Sequence, residues 1–446
     1  MPCSFSLDHG LVLLRLLTDF PSDLMFLLNP SLCSSRIPHL LNGMPKKVVS
    51  GDKDRFDDLP DDLLRRILYF LPGDDAMQTC VLATRWREIW RRTTHLCFVY
   101  DGWSFPTCER FHQLVKLIIQ LRGNSPLTYC QINPFTDDVE NCTRFARTRF
   151  TRTEQLMEYV LECQVEWLVV CPGDYLDKPL SLDDRLISRY LRTIKFEQVD
   201  FEGSSLDFSD CPALEELTMR SCNIFVCRIV SESLKHLRII EFCFFPDDCR
   251  IQIYAPRLIS LKLCSFYGFS GLTPLLEKMP LLETAFVTIA DMCSDSCESN
   301  REDFNDPSCT CCDDKCVLLN GLSNAVHLKL TAKPGKFIYR WDLAWCPIFG
   351  KLKTLVLNDW FTAIDLVCIL QHSPVLKKLT LKLDNTENFV GATISQKTLQ
   401  QPIQCACLVV VEIQCLKVDQ GVRKILKILS TCGILDKQTS IKEWLH

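Results

Sequence analysis

The sequence predicts an α/β protein in which a short helical module precedes a long solenoid of strand-bearing repeats and a strand-helix end cap. Three helical signals lie close together between Asp58 and Trp90. Ten copies of one apolar template follow between Val165 and Ile413, and a strand-like run and a helical stripe succeed each other after Cys407. A template that recurs at short intervals indicates stacked repeats, each too small to bury its own apolar face.

Composition limits the classes of partner that the chain is expected to have. Its 446 residues are 47% hydrophobic and 24% charged, with a formal net charge of −5, as in an ordinary soluble globular protein with a large core. A weakly acidic chain has no overall attraction to nucleic acid or to an anionic membrane. We therefore expect neither nucleic acid nor a membrane among its partners.

Cysteine is unusually frequent, with 27 residues spread through the chain. Many occupy positions of hydrophobic periodicity, and Cys163, Cys222, Cys264 and Cys415 are examples. Such positions are typical of small buried hydrophobic residues rather than of a disulfide framework. The sequence therefore predicts a reducing compartment, which is the nucleus, the cytoplasm or both.

Residues 1–53 are predicted to be a weakly structured N-terminal extension. The apolar run from Leu11 to Leu17 is interrupted by Arg15 and is too short to span a bilayer. The cationic first region and the small-residue cleavage site of a signal peptide are both missing. Two alternatives stay open, namely an organelle-targeting segment and translation that begins at Met44.

Residues 54–100 are predicted to form the helical module. A proline and two aspartates suit the first turn of its first helix, and an apolar stripe of leucine and isoleucine follows at helical spacing. Three helices this short cannot enclose a sizeable core by themselves, so a partner or the following domain must cover part of the stripe. The three helices are expected over Pro60–Leu71, from Asp74 or Asp75 to about Ala83, and from Thr84 through Trp90.

This stretch resembles the F-box of plant F-box/leucine-rich-repeat proteins. The similarity rests on Leu59-Pro60, on the leucine and isoleucine stripe, and on the run from Val81 to Trp90. The resemblance implies binding to a Skp-type adaptor and, through it, to the cullin of a ubiquitin ligase. A small helical bundle that only caps the repeats is the alternative. The adaptor contacts are assigned to Leu59, Pro60, Leu64, Ile67, Leu68, Val81 and Trp86.

Residues 101–388 are predicted to be a leucine-rich-repeat domain. The template is an apolar residue, any two residues, an apolar residue, any one residue and a third apolar residue. Between Leu191 and Leu282 its copies start 23, 20, 24 and 24 residues apart, intervals that are typical of leucine-rich repeats with one parallel strand each. Proline precedes the first apolar anchor by two residues in four copies, where it ends the preceding helix or turn. The copies start at Val165, Leu191, Leu214, Leu234, Leu258, Leu282, Ala325, Leu352, Leu376 and Leu408.

The residues between and after the apolar anchors are expected on the open face of the sheet. They mix charged, hydroxyl and apolar side chains without one prevailing sign, which favours a protein or small-ligand surface over a phosphate-backbone track. For any single position, a merely solvated side chain is the simpler interpretation. The set is Lys195, Glu197, Thr218, Arg220, Arg238, Ile240, Lys262, Cys264, Thr354, Val356, Thr380 and Lys382.

An insertion at residues 291–317, between the sixth and seventh template copies, holds six cysteines among acidic residues. Clustered thiolates are able to bind zinc tetrahedrally, yet their spacing lacks the paired two-residue knuckles of common zinc sites. An acidic loop with free or redox-labile thiols is favoured, so no cofactor is assigned. The insertion is similar to that of grass members of the family, which implies a lineage feature. The zinc candidates are Cys293, Cys297, Cys309, Cys311, Cys312 and Cys316.

Residues 389–446 resemble the FBD-type end of these plant proteins, which implies a last strand followed by a helix. The helix is expected between Val418 and Cys432, and its apolar face would cap the open end of the repeats. A second docking helix is the alternative. The predicted apolar face consists of Val422, Ile425, Leu426, Ile428 and Leu429.

No motif in the sequence indicates catalysis. A phosphate-binding loop, a nucleophile elbow and the His-Glu-x-x-His zinc motif are all missing. The expected function is therefore that of a non-catalytic substrate-recognition subunit of a Skp-cullin-F-box ubiquitin ligase, which binds an unknown target protein through its repeats. A non-degradative interaction scaffold and a small-molecule sensor are the alternatives.

Overall fold

The computed structural model describes residues 59–69, 84–99, 115–116, 118–133, 156–171, 180–181, 186–264, 271–289, 295, 316–333, 338–386, 407–431, 433–434 and 438–443. The predicted extension 1–53 and the predicted second helix lie outside these residues. The chain divides into two units. The first contains the described parts of Met1–Thr93 and Asp101–Ser125, and the second contains those of Thr94–Tyr100 and Pro126–His446.

The first unit contains helices α1 (Asp61–Tyr69) and α2 (Thr84–Arg91). They begin where the sequence predicts the first and third helices. The carbonyl oxygen of Pro60 accepts hydrogen bonds from the backbone N–H groups of Leu63 and Leu64 and so forms the first turn of α1. Each helix buries one apolar face, because leucine or aromatic side chains recur three or four residues apart. The buried residues are Leu64, Leu68, Trp86, Ile89 and Trp90.

The second unit is built mainly from short strands. Four helices lie between its later strands: α3 (Leu319–Leu322), α4 (Ile338–Leu343), α5 (Ala363–Gln371) and α6 (Gln420–Thr431). The strands are β1 His95–Val99, β2 Tyr129–Asn133, β3 Trp167–Val170, β4 Leu180–Ser181, β5 Thr193–Glu197, β6 Asp200–Glu202, β7 Ser205–Asp207, β8 Glu216–Arg220, β9 Asn223–Phe225, β10 Arg228–Val230, β11 His236–Ile240, β12 Gln252–Tyr254, β13 Ser260–Cys264, β14 Leu275–Leu276, β15 Thr284–Ile289, β16 His327–Ala332, β17 Thr354–Asn358, β18 Lys378–Leu383, β19 Val410–Cys415 and β20 Thr439–Glu443.

The ten template copies coincide with ten neighbouring strands of one parallel sheet. Among the described residues this sheet has thirteen strands, in the order β1-β2-β3-β5-β8-β11-β13-β15-β16-β17-β18-β19-β20. In the register of the sheet Leu217 lies opposite Ile194 on one side and Leu237 on the other. The second and third apolar residues of each template therefore line up in rows on the buried face, and the residues between them point to the open face.

Three strands of this sheet were not predicted from the sequence. Strand β1 alternates buried and partly exposed side chains as the template strands do, but Thr93 stands where the first apolar anchor would be, three residues before Leu96. Strand β2 does fit the template, with Leu127, Cys130 and Ile132 buried, and was overlooked. Strand β20 has only one apolar residue, Ile441, and is largely exposed. The prediction that β19 is the last strand is therefore wrong. The predicted α6 is present, with Leu426 half-buried and the rest of its apolar face buried, and it joins β19 to β20.

The segments that return from one template strand to the next are of two kinds. Between β5 and β15 they contain short strands, which form a four-stranded sheet β14-β12-β10-β7 and contribute β6 and β9 to a three-stranded sheet with β4. Among the later returns, those that follow β15, β16, β17 and β19 contain the described helices α3, α4, α5 and α6. Directly after β5, β8 and β11 the chain turns through Gln198, Ser221 and Glu241, each with a positive φ between 51° and 66°. This repeated left-handed turn places equivalent residues of successive repeats side by side.

Glu412 connects three strands at the C-terminal end of the sheet. Its carboxylate lies 2.8 Å from Lys442 Nζ of β20 and 3.3 Å from Lys378 Nζ of β18, and it accepts a 2.9 Å hydrogen bond from Gln414. The hydrogen bond from Lys442, with those from Gln414 and Lys378, lowers the pKa of Glu412 to about 2. A carboxyl whose pKa is lowered on folding stabilises the fold above its ordinary pKa, and this stabilisation disappears as the pH falls toward the folded value.

We predict that Glu412→Gln lowers the free energy of unfolding at pH 7 by roughly 1–2 kcal/mol, a figure reduced for solvent screening. Between pH 4.5, the ordinary glutamate value, and about pH 2, the difference from wild type should shrink. Urea denaturation across this pH range measures the difference in the free energy of unfolding between the variant and wild type. Glu216→Gln is the matched control, because Glu216 sits on the same face but lies 4.0 Å from its cationic neighbour Arg238. A pH-independent difference for Glu412→Gln would contradict the assignment.

Candidate functional site

The guanidinium group of Arg85 joins helix α2 to the turn that precedes helix α1. It donates 2.8 and 2.5 Å hydrogen bonds from Nε and Nη2 to Asp61 Oδ1, and Nη2 also donates a 2.6 Å bond to the carbonyl oxygen of Leu59. The planar fork of arginine suits this set of acceptors, and a lysine would not span them. Arg85 therefore fixes the Leu59-Pro60 turn in one position.

The residues assigned to the adaptor divide into two groups by exposure. Leu64, Leu68 and Trp86 are at most 3% exposed, so their side chains form the core of the first unit. Leu59 and Ile67 are half-buried and Pro60 is exposed. Val81 lies outside the described residues.

Two residues of this surface were missed when the contacts were assigned from the sequence. Leu63 was part of the predicted stripe but not of the assigned set, and its side chain is 48% exposed. Arg85 was noted only as part of the motif. The sequence could have indicated the exposure of Leu63 by its position in the first turn of α1, three residues after Pro60 and one residue before the buried Leu64. No sequence signal indicates the contacts of Arg85, because they join residues that are 24 and 26 positions apart in the sequence.

The family model of the F-box domain matches residues 56–96, which include α1, α2 and the Leu59-Pro60 turn. The chain contains an F-box domain. This F-box is the part of the molecule in which Arg85 holds the turn. Its buried Leu64 and Leu68 belong to the leucine and isoleucine stripe that the sequence singled out, and its buried Trp86 and Trp90 to the run from Val81 to Trp90.

Relatives in Arabidopsis thaliana are similar to longer parts of the chain than the F-box alone. One F-box/FBD/LRR-repeat protein is 23% identical over 396 residues, which is 80% of this chain and 83% of the relative. Another is 27% identical over 244 residues, or 48% of this chain and 54% of the relative. A putative FBD-associated F-box protein is 29% identical over 231 residues, 48% of this chain and 51% of its own length. For the last two, the aligned part is about half of the relative. The resemblance to plant F-box/leucine-rich-repeat proteins is confirmed.

The open face of the long sheet is largely as predicted from the sequence. Eleven of the twelve predicted residues are exposed or half-buried, and Thr380, flanked in the register by Val356 and Glu412, is buried. Charged residues there form a chain across three repeats: Glu197 lies 2.5 Å from Lys195 and 3.5 Å from Arg220, which is 2.8 Å from Glu241. Burial alone would raise the pKa of Glu197, but Lys195 and Arg220 lower it below the ordinary value.

An aromatic row begins this face at the N-terminal end of the sheet. His95, Tyr129 and Trp167 are opposite one another on β1, β2 and β3. The rings of His95 and Tyr129 stack with centroids 5.8 Å apart, and Trp167 meets Tyr129 edge-on at the same distance. Burial lowers the pKa of His95 to about 4, so the imidazole is neutral at pH 7. Trp167 is 48% exposed.

Further along the same face, cations flank an exposed aromatic ring. Lys262, Phe286 and Lys329 are neighbours in the register of β13, β15 and β16. In the described part of the chain neither lysine forms an ion pair. Phe286 is 39% exposed. A partner with carboxylates and apolar side chains would satisfy both groups.

The cysteine predictions have mixed outcomes. All cysteines within the described residues are free thiols, and Cys163, Cys222 and Cys415 are buried as expected. Cys264 is half-buried, so the expectation of burial is wrong for it: Leu261 and Leu263 occupy the inward positions of β13. Of the six zinc candidates, five lie outside the described residues. Cys316 is half-buried, and burial foremost raises its pKa to about 12.

Among the helices that the structure describes, none combines the length and the apolarity that a bilayer-spanning segment needs.

We predict that Arg85→Lys accelerates hydrogen exchange of the α1 backbone amides about two- to fivefold, because a half-exposed ion pair of this kind contributes roughly 0.5–1 kcal/mol. Hydrogen exchange with mass spectrometry on the full chain measures the effect over residues 59–69. Arg91→Lys is the control, since Arg91 pairs at 3.2 Å with Glu88 of its own helix. Equal exchange in both variants would mean that Arg85 does not hold the turn.

Proposed function

We propose that this chain is the substrate-recognition subunit of a Skp-cullin-F-box ubiquitin ligase. The single observation that carries the proposal is an F-box on the same chain as a long parallel sheet with a chemically mixed open face. The F-box binds a Skp-type adaptor and through it the cullin. The sheet is the strand layer of a leucine-rich-repeat solenoid that holds a target protein.

The proposal includes a finer division of the chain. The F-box is a three-helix domain at residues 54–100, the leucine-rich-repeat domain is residues 101–388, and an FBD-like cap is residues 389–446. β1 (His95–Val99) falls at the first of these boundaries and pairs with β2. β19 (Val410–Cys415), beyond the second, pairs with β18 in the same sheet. The recognition subunit acts in the nucleus, the cytoplasm or both.

The exposure of side chains refines the adaptor contact. Leu59, Pro60 and Ile67 remain the direct contacts, and Leu63 joins them because it is the most exposed apolar residue of α1. Leu64, Leu68 and Trp86 support the contact from beneath by holding α1 against α2. Val81 stays in the proposed set.

The chain contributes proximity rather than chemistry. A target held on the open face has a high effective concentration of its lysines near the ubiquitin-loaded enzyme of the ligase. The aromatic row of Trp167, Tyr129 and His95 offers rigid anchors of the type that dominates protein interfaces, and Lys262 and Lys329 favour an acidic neighbour. We therefore expect the target to present apolar and acidic side chains together.

We predict that the variant Leu59→Ala, Pro60→Ala, Leu63→Ala weakens binding of a purified Skp-type adaptor by more than about tenfold, because hot-spot truncations cost 2 kcal/mol or more in total. Titration calorimetry with the intact chain measures the affinity. The control is Leu281→Ala, a leucine of similar exposure (55%) outside the F-box. If the triple variant and wild type bind the adaptor equally, the F-box here is a helical cap and the proposal is wrong.

We predict that Trp167→Ala reduces the ubiquitin-modified proteins that co-purify with the chain, while adaptor binding is unchanged, because the target loses an anchor and the F-box is untouched. Quantitative mass spectrometry of plant cells with blocked proteasomes compares the two samples. Trp345→Ala is the control, since Trp345 is 52% exposed and lies outside the sheet. An unchanged ubiquitin-modified set with intact adaptor binding would favour a scaffold that delivers no target.

A further inference from the structure

Cys346, Cys368 and His372 come together in the second unit, on the helical side of the later repeats. One ligand atom from each, two thiol sulfurs and an imidazole nitrogen, lies within 4.8 Å of the other two. Among the described residues these three form the one cluster of histidine, cysteine or acidic side chains with this spacing. None of the three was singled out from the sequence.

Local structure explains why the three side chains meet. Cys368 is in helix α5, and His372 follows it by four residues at the end of that helix, so both project from the same side. The start of α5 is fixed by a capping box between Thr362 and Asp365. Cys346 comes from the segment after α4, which is anchored to the end of α5 by a 2.8 Å hydrogen bond from the Phe349 N–H to the His372 carbonyl oxygen.

The distances are close to those of a metal site. Cys368 Sγ lies 3.9 Å from His372 Nδ1. With metal–sulfur and metal–nitrogen bonds of about 2.3 and 2.0–2.1 Å, the ligand atoms of tetrahedral zinc are roughly 3.4–3.8 Å apart. A contraction of at most about 1.0–1.4 Å therefore brings the three atoms into range. All three residues are half-buried, which leaves a route for an ion to enter.

The present contacts of the three side chains are weak or exchangeable. Cys346 Sγ lies 3.7 Å from the Pro347 carbonyl oxygen, and Cys368 Sγ lies 3.8 Å from that of Leu343. His372 Nδ1 is 2.8 Å from the Cys368 carbonyl oxygen. Binding of a metal ion at Nδ1, the nitrogen that lies 3.9 Å from Cys368 Sγ, would replace this hydrogen bond.

Two other possible ligands near the cluster, Asp342 and Cys316, already accept hydrogen bonds from backbone N–H groups. Both carboxylate oxygens of the buried Asp342 accept hydrogen bonds from backbone N–H groups, those of Val317, Leu318 and Leu319 at 2.6–2.8 Å. Cys316 Sγ accepts a 3.1 Å bond from the Asn320 N–H. The cluster therefore supplies three protein ligands, and its fourth position is open to water or another donor.

We propose that Cys346, Cys368 and His372 form a binding site for a thiophilic divalent metal ion of the zinc class. Two sulfurs and one imidazole suit zinc and exclude calcium and magnesium, which require oxygen ligands. Binding replaces the two thiol protons, which pass to solvent, with metal–sulfur bonds. The ion ties the segment after α4 to the end of α5. None of its three ligands is among the six zinc candidates of the insertion.

The test uses the full chain, reduced, stripped of metal and titrated with Co²⁺ as an optical substitute for zinc. We expect one equivalent to produce thiolate-to-cobalt charge-transfer absorption that Zn²⁺ abolishes. Cys346→Ser with Cys368→Ser should remove this absorption, and His372→Asn should weaken binding by more than about tenfold. The control Cys227→Ser with Cys407→Ser, two exposed thiols, should bind as wild type does. A chain with serine at all six insertion cysteines should also keep the absorption.

A measurement on the wild-type chain avoids any variant that fails to fold. Zinc should slow alkylation of Cys346 and Cys368 by iodoacetamide, while alkylation of Cys227 and Cys407 stays unchanged. The proposal is overturned if the double serine variant keeps the cobalt absorption, or if only the insertion variant loses it. It is also overturned if zinc protects neither thiol, including the case in which Cys346 and Cys368 form a disulfide under air and bind no metal after reduction.

Discussion

The second unit depends on the register of its parallel strands. Each repeat has too little apolar surface to bury alone, so its leucines must lie beside those of the repeats before and after it. Ile194, Leu217 and Leu237 show this arrangement, since they occupy one row on three neighbouring strands and are completely buried. A one-residue shift of any strand would place its apolar residues on the open face and its charges in the core. The alternation that stabilises the fold thus also determines which side chains are available to a partner.

The F-box is limited instead by the length of its helices, which are too short to bury their whole apolar surface. Leu64, Leu68 and Trp86 face inward, while Leu63 of the same stripe stays 48% exposed. Arg85 holds the turn before α1 by hydrogen bonds, so the turn is fixed without burial of its apolar side chains. A fixed turn with exposed apolar residues is preorganised for binding, which lowers the entropic cost of association. In the function proposed here, the first unit would supply a preorganised docking surface and the second a long face for a target.

Much of this architecture could be predicted from the sequence, for physical reasons. An apolar residue that recurs with a fixed period indicates burial on a fixed face, so the ten template strands were found from local pattern. Helix α6 was expected from the resemblance to the FBD-type end together with its apolar stripe. Strand β20 was missed because its stability comes from pairing with β19 and from the contact of Lys442 with Glu412 rather than from apolar residues of its own. The contacts of Arg85 and the cluster of Cys346 with Cys368 and His372 were also missed. Arg85 and Cys346 approach residues more than 20 positions away in the sequence, and no spacing rule connects such residues before the chain is folded. Only Cys368 and His372, four residues apart on one helix, have a spacing that the sequence itself shows.

The central claim is that this chain physically joins a target-binding sheet to a cullin through an adaptor. Its most direct test is to mix the purified full chain with a purified Skp-type adaptor and cullin and to determine the mass of the product by size-exclusion chromatography with light scattering. The account predicts a single complex that contains one copy of each protein. A folded chain that elutes alone, with the adaptor and cullin eluting together without it, would contradict the account.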